Sequence, residues 1–425
     1  MSRFSFLSRL RAVPSGLLLT AILVALSAAF AVDPVRDAAT LGAVREATLR
    51  RPTSYLLLAP VSDVLDTLTL LSVRQHIAFV LTLVLGFAIV RWAAGRAAPS
   101  QMTSARRMVR EVIRAAVALV LLVALYAAVA IMPRPMAALD AGADILVVDF
   151  HSHTRFSHDG RPDWSPEDVR AWHRAAGFDV AYITDHRTFE GARDGWANNP
   201  GRAGDGTFLL PGLEVVWRGE HVNVLDADRM YRGLFNDTFR DIDEKALTMA
   251  SLLAGAEPVL IETVPADLSK VEGATGRGTA GVRAIEIVDG APRGLGQTRK
   301  ERERIVQLAD SMNLALVAGS DHHGWGHAAA GWTLLVLPQW RAVAPEQLSS
   351  AISNVIRLGG RQATRVVARY LVNTETGAAL PLTVPLVAWG MLRSLSNDER
   401  IVWLAWLGVT FLLWRVFDAR RRDRA

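Results

Sequence analysis

The sequence of 425 residues contains no cysteine. That excludes disulfides, zinc ribbons, iron–sulfur clusters and thiol nucleophiles, but it says little about compartment, since either redox environment tolerates it. Two catalytic signatures are also missing. There is no G-x-x-x-x-G-K-[ST], so no P-loop, and Ser320 lacks a G-x-S-x-G elbow. Internal repeats and low-complexity segments are absent. Lysine is scarce, and the 47 basic residues are nearly all arginine. Apolar residues, by contrast, are abundant: 51% of the chain is hydrophobic and mean hydropathy is +0.21, while 21% is still charged. This balance rules out disorder, collagen and coiled coil, and fits apolar blocks joined to a polar domain. The formal charge of +5 (47 − 42) sits mainly beside the apolar runs. It reads as membrane topology, and no nucleic-acid partner is expected.

Four runs are apolar enough for membrane helices, which need about 20 residues. They cover about 14–32, 77–92, 112–132 and 401–417. Arg3, Arg9 and Arg11 before the first run and Ala28, Ala29 and Ala31 in it would suit a signal peptide. The spans that follow favour a retained anchor. A second arginine cluster (Arg91, Arg96, Arg106, Arg107, Arg110 and Arg114) links the second and third runs, and a third (Arg415 to Arg424) closes the chain. The positive-inside rule puts all three clusters in the cytoplasm, so an inner or plasma membrane protein with its polar domain outside the cytoplasm is expected. Tyr55–Leu71 carries Asp63 and Asp66, and Ala378–Leu392 carries Pro381 and Pro385. Both are expected to be interfacial or re-entrant and not to span. The resulting division is a membrane region over 1–136, a polar domain over 137–372 and a second membrane region over 373–425.

In the polar domain, short apolar runs alternate with polar helices. Ile145–Phe150, Val180–Ile183, Phe208–Leu210, Val222–Leu225, Val259–Ile261, Ala284–Val288 and Leu314–Val317 read as buried strands. Ser165 as N-cap, Pro166 in first position and Gly177 as stop delimit a helix, and a second, charged helix is expected over Gln297–Asn313. Strand–helix alternation argues an α/β fold with a parallel sheet, open or closed into a barrel.

Nine of the ten histidines fall between His151 and His327, clustered just beyond these strands. Val147–Phe150 runs into His151-Ser-His153 and then Ser157-His158-Asp159-Gly160. Ile183 leads to Thr184-Asp185-His186, Leu210 to Gly212-Leu-Glu214 with His221 beyond, and Val317 to Gly319-Ser-Asp321-His322-His323. On extended backbone, residues i and i+2 point the same way, so His151 and His153 can reach one metal, and Asp321 and His323 repeat the spacing. A single histidine here would more simply be a hydrogen-bonded residue, but five arrivals at strand ends argue for a shared site. Histidine and carboxylate ligands without cysteine favour zinc, manganese or iron.

These four motifs, in this order, resemble the polymerase-and-histidinol-phosphatase (PHP) domain, over about Ile145 to Tyr370. The resemblance implies a distorted (β/α)7 barrel, here flanked by transmembrane helices, with two or three divalent metal ions. It implies that His151, His153 and Asp321 hold one metal and that Glu214 bridges two. Asp159, His186 and His323 would hold a further one, with His158 as alternative to Asp159 and His221 as an added terminal ligand. Many members carry a His-Pro after a later strand. Here the strand reads Val259-Leu-Ile-Glu262-Thr-Val-Pro265, so either Glu262 substitutes or one metal position is weakened. Glu286 resembles a family position too and is taken as structural. The expected activity is hydrolysis of a small phosphate ester through a metal-activated water, with Glu214 and Asp321 at its centre. His322 or His327 is a candidate donor to the leaving oxygen, and Arg155 or Arg187 a candidate phosphate clamp. The alternative is a sensor or binding ectodomain that keeps the fold and metal without turnover. Substrate identity and oligomeric state are not encoded in these motifs.

Overall fold

The computed structural model describes residues 14–97, 104–186, 188–217, 220–225, 259–263, 268–269 and 282–422. Its strands are β1 (Val35–Asp37), β2 (Ala47–Arg50), β3 (Ala138–Ala141), β4 (Ile145–Ser152), β5 (Val180–Ile183), β6 (Phe208–Trp217), β7 (Glu220–Leu225), β8 (Leu260–Glu262), β9 (Val282–Asp289), β10 (Ala315–Gly319), β11 (Gly331–Val336) and β12 (Thr364–Arg369). Ten of them form one curled sheet in the order β1-β12-β11-β4-β5-β6-β7-β8-β9-β10, and β2 pairs with β3 separately.

The sheet is mixed, whereas alternation along the sequence predicts a parallel one. β4, β5 and β6 run parallel, as do β8, β9 and β10, but β7 is antiparallel to both neighbours and β11 to β4 and β12. Only two residues join β6 to β7, too few for a crossover, so that pair must be a hairpin. β1 comes from the N-terminal region and pairs with β12 at the sheet edge. β4 shows how apolar sequence builds two layers. Leu146, Val148 and Phe150 enter one core cluster with Tyr182 and Trp340, while Val147 enters the other with Trp172 and Trp332. Burial on both faces is why the strand reads as a continuous apolar run.

The last strand of the sheet, β10, meets β4 at the strand C-termini. Asp321 N donates to His151 O (2.9 Å) and His153 N to His322 O (3.1 Å). This curls the sheet into a half-barrel and brings the β4 and β10 motifs together. The helix Pro166–Ala176 has the caps expected, with a Ser165–Asp168 capping box and Gly177 at φ 88°. Such a cap contributes about 1 kcal/mol. The charged helix runs Arg299–Met312, capped by Thr298 with Glu301 and ended by Asn313 at φ 54°.

Three helices are long and apolar enough to cross a membrane: Val73–Ala97, Ser104–Ile131 and Asn397–Arg422. The first expected span is a shorter apolar stretch, a helix over Ser15–Ser27 continued by a 3₁₀ turn to Phe30. Residues 53–69 form two short helices, and Thr383–Ser394 is a 12-residue helix. Both are shorter than a span requires. Asp63 and Asp66 are buried in protein: Asp66 is paired with Arg134 (3.2 Å) and Arg369 (3.0 Å).

Candidate metal centre

β4, β5, β6 and β10 deliver their C-terminal residues to one point. There the side chains form three overlapping groups, each able to hold one cation: His151, His153 and Asp321; His153, Asp159, His186 and His323; and His186, Glu214 and His221. Glu214 is the hub. Its Oε2 lies 3.1 Å from His151 Nε2, 3.2 Å from His153 Nε2 and 3.3 Å from His186 Nε2, and its Oε1 lies 2.5 Å from His221 Nδ1. Asp321 Oδ1 is 3.3 Å from His151 Nε2 and 3.2 Å from His153 Nε2, and Asp159 Oδ2 is 3.2 Å from His323 Nε2.

Local backbone chemistry makes this convergence possible. Asp321 adopts a left-handed conformation (φ 44°), which aspartate tolerates better than most residues. A side chain on Gly319 would come within 2.2 Å of Glu286 Oε1 and 2.6 Å of His151 Cβ, so glycine there leaves room for the His151–Glu286 pair. Gly160 does the same for the Asp159 loop, whose backbone folds against Thr154 O. Asp185, the acid of the Thr184-Asp185-His186 motif, is not in the cluster. It accepts from Thr154 N and Oγ1, both at 2.6 Å, and pins the chain after His153.

The donor set fits divalent cations. His151 Nε2 and His153 Nε2 face each other at 3.1 Å with carboxylate oxygens around them, an arrangement of lone pairs that a cation resolves. Without one, protons are drawn in. Burial alone would push His153 down, but the Asp321 and Glu214 carboxylates override it and raise its pKa to about 10. Glu214 is held well below the carboxylate range in spite of its burial, by His151, His153 and His221. His186 goes the other way: burial outweighs Glu214 and lowers it to about 4, leaving a neutral imidazole.

Other candidates lie elsewhere. His322 turns away: its Nε2 bonds Gly326 O (3.1 Å), its ring stacks on Trp172 with centroids 4.2 Å apart, and burial lowers it to about 3. That position does not suit a proton donor to the cleft, and His327 does not line the cleft either. His158 is exposed and belongs to none of the three groups, whereas Asp159 belongs to one. Glu262 is buried at the end of β8, also outside the groups. Arg155 is exposed with its guanidinium over the Phe156 ring, and Arg187 lies outside the described residues.

Two features of the candidate site escape sequence reasoning. Glu286, taken as structural, is fully buried and receives His151 Nδ1 at 3.0 Å, so it fixes which nitrogen of His151 faces the cluster. Arg293 and Arg304 line the cleft, about 610 Å³ in volume, that opens over the cluster. The strand-end rule that found the histidines could have found Arg293, four residues beyond β9, but Arg304 sits within a helix already rich in charge.

No family model and no curated protein matches the chain. Among solved structures, PsfC from Pseudomonas syringae is 19% identical, covering 57% of this chain and 96% of its own, with a TM-score of 0.35. A two-domain protein from Bacteroides vulgatus is described as containing a predicted PHP-like metal-dependent phosphoesterase. It is 18% identical over 53% of this chain and 66% of its own, with a TM-score of 0.32. Its neighbours thus include a PHP-like protein. The lesion-specific endonuclease PfuEndoQ from Pyrococcus furiosus is 13% identical over 50% of this chain, which spans just over half (56%) of the endonuclease, with a TM-score of 0.34.

Proposed function

We propose that the chain is a membrane-anchored, metal-dependent phosphoesterase whose curled sheet is a distorted (β/α)7 PHP barrel over about 137–372. The observation that carries this reading is the single carboxylate, Glu214, shared by His151, His153, His186 and His221 within 3.3 Å. His151, His153 and Asp321 would hold one cation; Asp159, His186 and His323, another; Glu214 would stand between them, with His221 terminal. A divalent zinc, manganese or iron ion held there would supply an acidified water and offset phosphoryl charge. The chain's own residues do the rest. Glu286 accepts from His151 Nδ1 and keeps its other nitrogen turned to the cluster. Arg293 and Arg304, which line the cleft, can fork onto phosphoryl oxygens. The purified full chain, loaded with manganese or zinc, should hydrolyse some members of a panel of phosphate mono- and diesters. Stoichiometric loading without turnover on any of them would instead favour the binding ectodomain, which Glu262 in place of the expected histidine also favours.

The topology reading places this domain outside the cytoplasm. Val73 and Ile131, the two ends of one helical hairpin, both lie on the domain side, and the helix from Asn397 departs from there. The arginines at 91, 106–114 and 415 lie toward the opposite ends of these helices. Reporter fusions after Arg107 and Ala425 should read cytoplasm, and one at Gly290 the outer side. A cytoplasmic reading at Gly290 would reverse the orientation and leave the metal groups as they are.

A further inference from the structure

The cleft and the apolar helices are joined by backbone bonds. The segment 292–297 supplies Arg293, Gly294, Gly296 and Gln297 to one wall of the cleft. Val73 N, at the first residue of the long apolar helix, donates to Pro292 O at 3.1 Å. The loop after His323 is tied in the same way, with Gly326 N donating to Ala130 O at 2.8 Å in the last turn of the returning helix. Both loops that flank the metal groups therefore sit on the domain-side ends of one hairpin. Within the second loop, Trp325 is 50% exposed and the Arg161 guanidinium lies 5.7 Å from its ring. Tryptophan beside arginine suits the level of the lipid headgroups.

A second cavity, of about 200 Å³, adjoins the cleft and shares Asp289, Gly294 and Gln297 with it. Its lining is mixed, with Arg36, Arg302, Arg369 and Glu375 on it beside an apolar wall of Leu41, Leu70, Ile287 and Leu295, and Leu70 stands three residues before the apolar helix begins. A polar phosphate ester gains little from such a wall, whereas an ester with a hydrocarbon portion buries it there.

We infer that the substrate is the phosphate ester of a membrane amphiphile. Its phosphate lies in the metal cleft and its apolar portion occupies the adjoining cavity at the bilayer surface. The inference rests on the phosphoesterase reading and on the long helices as spans. It holds for either orientation of the protein.

Because the chain lacks cysteine, single-cysteine labelling can test the placement directly. Trp325→Cys and Leu358→Cys would each carry a nitroxide in the full chain, reconstituted in phosphatidylcholine nanodiscs. Leu358 is 88% exposed, and its helix ends against Asn313, at the opposite end of β10 from Asp321. The label at 325 should be several-fold less accessible to a nickel chelate than that at 358, and correspondingly open to oxygen. Equal nickel access would overturn the inference. The second arm compares butyl and dodecyl phosphate with the manganese-loaded wild type in the same discs. Sharing a bilayer raises effective concentration, so the dodecyl ester should turn over roughly a hundredfold faster. Equal rates would sink the amphiphile and leave the phosphoesterase standing. No turnover on any ester, at full metal loading, would bring down both.

Discussion

Two of the buried charge clusters among the described residues differ in whether they carry their own cations. At the junction with the apolar helices, Asp66 receives Arg134 Nε, Arg369 Nη1 and the Tyr55 hydroxyl. Asp63 receives that hydroxyl (3.0 Å) and Trp403 Nε1 (2.8 Å). Every one of these contacts brings a donor to a carboxylate. At the strand ends, Glu214, Asp321 and Asp159 meet imidazole nitrogens, and two of those nitrogens face each other. The first cluster is complete once the chain folds. The second could be completed by a cation that the chain does not encode. Burial and charge alone therefore do not mark a functional site; an excess of facing lone pairs does.

The sharpest test of that distinction is Glu214→Gln. Removing the shared negative charge should cost roughly a thousandfold in turnover, the scale of losing a principal electrostatic contact. It should also lower metal content measured by elemental analysis. A variant with wild-type rate and full occupancy would undo the site assignment. Arg369→Met should do the reverse. It takes from the buried Asp66 one of its two arginine partners, Arg134 remaining, and should cost about 1–3 kcal/mol of stability, read by denaturant unfolding in detergent. Metal bound per folded molecule should not change. If metal were lost and stability kept, the two clusters would not be separable.

A smaller effect is expected from Glu286→Gln, which leaves every candidate ligand in place. Metal affinity should fall roughly 10–100-fold, as is usual when a histidine ligand loses its outer partner. Titration against a competing chelator checks this, and unchanged affinity would make Glu286 a packing residue after all. The gentlest perturbation is pH. Metal-free His153 holds a proton up to a pKa of about 10, since Asp321 and Glu214 overcome the opposing effect of burial. A cation must displace that proton, so apparent metal affinity should rise from pH 6 to 9, roughly tenfold per unit for each proton released. Calorimetry in two buffers of different ionisation heat counts those protons, and a flat profile would remove His153 from the ligand set.

Features that depend on neighbours in the chain were legible in advance. The helix from Pro166 to Ala176 was readable because Ser165, Asp168 and Gly177 act within one turn of its ends. The His151-x-His153 pair was readable because alternation along a strand is a local rule. β11 and β12 were not found, and β7, expected as a strand over Val222–Leu225, was not expected to run antiparallel, because strand direction and pairing are set by partners distant in sequence. His322 looked like its neighbour His323 but belongs to the aromatic packing of Trp172 and Trp164. One residue of backbone turn after the left-handed Asp321 separates the two roles.

By itself the sequence determined the apolar blocks, the absence of thiol chemistry, and which residue types arrive at which strand ends. Those follow from hydropathy, composition and spacing, which need no partner. Tertiary structure decided what each arrival faces. Glu286 lies 135 positions from His151 yet sets its orientation, and Asp63 and Asp66, which seemed too costly to bury, are buried against Arg134, Arg369 and Trp403. Charge is a property of a residue, but whether it is satisfied depends on what the fold places within about 3 Å of it, and only the folded chain fixes that.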